Sequence, residues 1–165
     1  MRPYALSVAL VLLGLATPAT AAALAPSKPS QLVAVVATGS CPFVGVTTGL
    51  FDTLVKGDGT RAPFSIPAGE VLVITDLTIL ANAETPGHTI QAQLLAGTSA
   101  ISNFDIFAEN VTAGTSGGVT LAATFPTGIV VKSGTSLCPV AIDFTSSGGS
   151  VSAGGTLHGF LTKDK

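Results

Sequence analysis

The 165-residue chain has no Trp, and its single Tyr and single Met are Tyr4 and Met1. Both fall in the first two dozen residues, which read as an export signal, so the segment that follows has no Trp, Tyr or Met at all. Sites that stack a ligand on a large aromatic ring lose their usual residues, and so does a copper site that places a Met beside Cys and His. Charge is scarce too: 10% of residues are charged, against about 25% in an average soluble domain. Without Arg2 the remainder has six basic residues against nine acidic ones, a net charge of −3. No basic patch is left to hold nucleic acid or an anionic membrane.

Long apolar runs are missing as well. The longest, residues 5–16, follows Arg2 and ends before Pro18. It is too short to span a bilayer but suits the core of a secretory signal. Small-x-small cleavage motifs end at Ala21 and Ala23. The expected organisation is a signal peptide over 1–23, a Pro-rich linker over 24–30 and one domain over 31–165. No Cys follows the cleavage site to take a lipid, and Arg2 has no second Arg beside it. The expected location is therefore secreted, extracellular or periplasmic, with no membrane span once the signal is cleaved. About 140 residues then remain, a normal size for one core.

Two cysteines in an exported chain are most simply a disulfide, which would join Cys41 to Cys138. Each is followed by Pro, which lacks the N–H a ladder needs, so both positions suit strand ends or sheet edges. Apolar residues recur at short period, broken every ten residues or so by Gly, Pro, Asp or Asn. That pattern predicts an all-β antiparallel sandwich of eight to ten strands.

Strands are expected over 31–38, 43–55, 70–80, 89–95, 101–107, 118–125, 129–131, 136–144 and 155–162. Residues 103–110 break phase at Phe107, which suggests a bulge or a short helix. The strongest segment is 70–80. Strict alternation would put Val71, Val73, Thr75, Leu77 and Ile79 on one face, and Leu72, Ile74, Asp76, Thr78 and Leu80 on the other. Both faces are mainly apolar, which places the strand mid-sandwich or sets its outer face against another subunit.

Two short stretches echo one another. Ile66-Pro67-Ala68-Gly69-Glu70-Val71-Leu72 and Val131-Lys132-Ser133-Gly134-Thr135-Ser136-Leu137 each place a Gly between an apolar residue and a following strand. On these turns the chain resembles small secreted bacterial jelly rolls of the cupin or tumour-necrosis-factor type. The resemblance implies a jelly-roll sandwich. It would also imply a metal site in a cupin, but Gly69 is followed by Glu70-Val71-Leu72-Val73-Ile74 rather than a His-x-His pair.

Other chemistry is sparse. His88 and His158 stand far apart, without metal-ligand spacing, and no cofactor is expected. Asp52, Asp58 and Asp105 lack the spacing of a calcium loop. Gly114-Thr115-Ser116-Gly117-Gly118 matches a serine-nucleophile pattern, yet it lies in a Gly/Ser/Thr loop rather than at a strand-to-helix turn. Asn110-Val111-Thr112 fits a glycosylation acceptor in a loop.

The expected function is a non-catalytic structural, assembly or surface-interaction role, with the protein's own copies or another surface component as partner. The alternative is an extracellular ligand-binding module for a polysaccharide or protein, using Asn82, Glu84, His88, Asp105 and Asn110. A hydrolase built on Ser116 and His88 ranks third.

Overall fold

A computed structural model describes residues 25–26, 28–42, 48–82, 85–99, 102–145 and 150–164. The expected signal peptide and part of the linker lie outside the described residues. A 3-10 turn, Pro29–Gln31, leads into ten strands: β1 (Leu32–Ser40), β2 (Gly49–Val55), β3 (Arg61–Pro63), β4 (Glu70–Asn82), β5 (Thr89–Ser99), β6 (Ser102–Thr112), β7 (Gly118–Lys132), β8 (Ser136–Asp143), β9 (Ser150–Val151) and β10 (Ala153–Lys163).

They form two antiparallel sheets, a large one in the order β3-β2-β1-β10-β4-β7 and a small one in the order β6-β5-β8-β9. The chain changes sheet between β4 and β5, β6 and β7, β7 and β8, and β9 and β10, which gives a jelly-roll-like winding. The two sheets bury one shared core. Val33, Val35, Leu72, Ile74, Leu77, Ile79 and Leu157 from the large sheet meet Ala92, Leu94, Ala96 and Leu137 from the small one. Each fully buried Leu or Ile there contributes about 1.5–3 kcal/mol of transfer free energy.

The alternation expected over 70–80 does not hold through the whole strand. Leu72 and Ile74 point into the core, but so do Leu77 and Ile79, so the phase changes between them. The register slips there against both neighbours, between Ile74 and Asp76 facing β7, and between His158 and Gly159 facing β10. An inserted residue at Thr75 forms a bulge and restores the apolar face on its far side. Opposite it, β7 loops out residues 125–128, which is why 118–125 and 129–131 form one strand rather than two. Gly128, at φ 72°, sits where a Cβ would collide with the Val73 side chain. In β6, which is a strand throughout and not a helix, the phase break is likewise a bulge, with Ile106 unpaired between Asp105 and Phe107.

The two echoed turns have one geometry. Glu70 N donates to Pro67 O at 3.1 Å and Thr135 N to Lys132 O at 3.3 Å. Gly69 and Gly134, third in each turn, take positive φ of 76° and 80°, which side chains disfavour. They also sit together, since Ser133 Oγ donates to Ile66 O at 3.0 Å.

Cys41 and Cys138 are disulfide-bonded, 97 residues apart in sequence and 5.7 Å between Cα atoms. Cys41 directly follows β1. Cys138 and Pro139 pair with β5, while β9 reaches only Ala141 and Ile142 on the other flank, so the missing Pro N–H breaks no ladder. The bond ties the end of the β1–β2 hairpin, a large-sheet element, to the small sheet.

Candidate functional site

The residues expected to share a ligand loop are spread over the fold. Asn82 ends β4, opposite Gly118. Glu84 lies outside the described residues. Asp105 and Asn110 lie on β6, opposite Leu95 and Gln91 respectively, at well-separated points along one edge strand. The acceptor motif at Asn110 is therefore in a strand and not a loop. Among the described residues Asn82 and His88 both border the segment from Ala113 to Gly118, while Asp105 lies farther along β6.

His88 has a structural partner. Its Nδ1 lies 2.8 Å from Oδ2 of the buried Asp143, whose Oδ1 accepts Thr145 N at 2.9 Å and Thr145 Oγ1 at 2.7 Å. The Gly114–Gly118 loop runs alongside, with Ala113 N donating to His88 O at 2.8 Å and Gly87 N to Ala113 O at 3.0 Å. It closes on itself through Gly114 N to Gly118 O at 3.0 Å. Among the described residues no hydrogen bond joins Ser116 to His88, so the Ser–His contact of a nucleophilic triad is not formed. No group of three or more His, Cys, Asp or Glu is placed to hold a metal, again among the described residues.

The outer face of the large sheet gathers more. Strand register sets Thr53, Val36, Thr156, Thr78 and Ala122 in one row across five strands. Ala34, His158, Asp76 and Thr124 form the next row. Asp76 is tied down by hydroxyls, with Thr75 Oγ1 at 2.8 Å and Thr124 Oγ1 at 3.4 Å. Three large apolar side chains alternate outward on the same face: Leu32, 60% exposed, Leu80, 52%, and Val130, 49%. Between Leu32 and Val130 lies a buried outer cluster of Val71, Val73 and Phe160. The face is thus broad, hydroxylated and apolar, with Asp76 and Lys132 as charges within it.

One edge of that face is built differently. Register slips on either side of Ala37 leave Thr38 on β1 and Asp52 on β2 unpaired, and their side chains meet. Asp52 Oδ1 accepts Thr38 Oγ1 at 2.7 Å, Thr53 Oγ1 at 3.1 Å and Gly39 N at 3.3 Å. Burial alone would raise the carboxyl, but the hydrogen bonds from Thr38, Thr53 and Gly39 outweigh it and hold Asp52 below the ordinary carboxylate value. Gly39 is required beneath it, because a Cβ there would strike the carboxylate. Thr38, Asp52 and Thr53, with Arg61, Ala62 and Pro63 from β3, line an open groove of about 420 Å³. Sequence reasoning weighed Asp52 only as a calcium-loop ligand, with Asp58 and Asp105, and set it aside for lack of spacing. Two facing bulges leave no local sequence signal, so nothing in the chain pointed to this arrangement.

The chain matches no protein-family model and no curated protein.

Proposed function

We propose that this is a secreted, non-catalytic jelly-roll protein of the cupin or tumour-necrosis-factor kind that works by surface contact, its large sheet meeting a second copy of the chain. The observation that carries the reading is the apolar row Leu32, Phe160, Val73 and Val130 across the outer sheet face, on the same side as the Val36–Ala122 row. Apolar surface on one face favours association, and a surface low in charge opposes it only weakly. The four strands β1, β10, β4 and β7, spaced about 4.8 Å apart and about 40 Å long, span roughly 800 Å², the share one partner gives to a standard interface, and leave the β2–β3 edge uncovered. Threonines add hydroxyls that pair across such an interface without the desolvation cost of buried ions. The disulfide supports an oxidising compartment, and so a secreted protein.

Size-exclusion chromatography with light scattering on the oxidised protein freed of residues 1–23 tests this. A dimer or larger assembly is expected, and a protein with both Thr78→Lys and Thr156→Lys, adjacent across β4 and β10, is expected to run as a monomer. If the unmodified protein is monomeric at every concentration examined, the reading fails.

A further inference from the structure

We propose that the groove between Asp52 and Arg61 binds a neutral saccharide, with Asp52 accepting from ligand hydroxyls and Arg61 donating to them. This does not rest on self-association.

Gly39 N and the linked Thr38 and Thr53 hydroxyls cluster on Asp52 Oδ1, which leaves Oδ2, lying over Gly39, as the carboxylate oxygen without a hydrogen bond among the described residues. The same donors keep the group ionised, so it is fixed in position and in charge before a ligand arrives. Across the groove, Arg61 is exposed and makes no ion pair among the described residues. Its guanidinium offers up to five donors in a planar fork. The Thr38 and Thr53 hydroxyls, 2.6 Å apart, keep lone pairs toward a further donor.

This donor and acceptor set selects the class of ligand. An anion would meet the Asp52 charge, and a metal cation would find one carboxylate beside a guanidinium, far short of the six to eight oxygens calcium takes. A vicinal diol fits both sides, because each hydroxyl donates and accepts at once. The groove is open and polar, as a surface subsite on a glycan chain would be. The paired bulges that build it lie where the β1–β2 ladder could otherwise run regularly, and bulges commonly re-aim side chains at sites of function. No aromatic ring lines the groove, so hydrogen bonds carry the contact.

Titration of the isotope-labelled protein with maltohexaose, cellohexaose and mannohexaose, followed by amide NMR, tests the assignment. At least one of the three should shift the amides of Thr38, Gly39, Thr53 and Arg61. Arg61→Gln, an exposed change on an edge strand, should weaken that binding by about tenfold or more, the worth of one charge-assisted hydrogen bond. Asp52→Asn should do the same. Because it also alters the bulge, the Arg61 variant decides the matter if the Asn protein unfolds. The proposal is overturned if all three sugars leave these amides unmoved, if shifts fall elsewhere, or if Arg61→Gln binds as tightly as the unmodified protein. It is equally overturned if inorganic phosphate or free glycine shifts these amides and the sugars do not.

Discussion

The Thr48 hydroxyl is buried without a hydrogen-bond partner among the described residues, next to the point where Cys41 N donates to Thr48 O at 3.0 Å. Burying an unpaired hydroxyl costs free energy that a methyl of the same shape does not. Thr48→Val is therefore expected to stabilise the protein by about 1 kcal/mol, read as a higher urea midpoint at unchanged slope. An unchanged or lower midpoint would count against it. Asp52 works the other way. Its carboxyl is depressed in the folded protein, so the unfolded chain takes up the proton first as pH falls. Its contribution is complete above about pH 4, the ordinary carboxylate range, and is lost as pH falls below that through the folded value. In Asp52→Asn the unfolding midpoint should fall less between neutral and acid pH than in the unmodified protein. Parallel acid limbs in the two proteins would refute the assignment. Of these two residues, neither role was legible in the sequence. Thr48 looks like any strand threonine, and Asp52 gains its donors only through the pairing of β1 with β2.

Strands were legible where hydrophobic alternation is local, and misread where a partner strand decides. The apolar run of β4 and the turns at Gly69 and Gly134 came directly from residue order, because turn chemistry acts within four residues. The phase change at Thr75 did not, since a bulge is a property of two strands and the partners lie on β7 and β10. β3 and β9 are too short to carry any period. The β10 strand shows how tightly such pairing is drawn: a Cβ on Gly159 would penetrate the Val73 carbonyl on β4. Gly159→Ala must push the two central strands apart. It should lower stability by about 2–3 kcal/mol in chemical denaturation, whereas Gly57→Ala, in open space within a turn, should change it far less. Equal effects from the two would remove the argument for close strand contact at Gly159.

At the scale of the whole molecule the disulfide joins the two sheets across 97 residues of chain. Closing so long a loop restricts the unfolded state, a stabilisation of about 4–5 kcal/mol in the chain-entropy account. The double variant Cys41→Ala with Cys138→Ala should lose stability of that order, with the core spectrum otherwise preserved; a loss below about 1 kcal/mol would show that the unfolded chain is already constrained there. The pairing of these two cysteines was legible because a chain with two thiols has a single intramolecular solution. The candidate ligand residues were not, because the winding of the chain, rather than proximity in sequence, decides which loops meet. His88 met Asp143 from the end of β8, while Asp105 and Asn110 were carried off along β6.

The last strand occupies the middle of the large sheet, with β1 on one side and β4 on the other. A chain emerging from its N-terminus, whether from a ribosome or through a translocation channel, therefore holds β1 and β4 with bare facing edges until its final residues appear. No earlier strand fills that gap, so assembly of the large sheet awaits synthesis of β10, and contacts of such high sequence separation form slowly. In the finished protein the same arrangement makes the eleven residues of β10 a keystone, and a nascent chain stopped before Ala153 would offer two open strand edges to its neighbours.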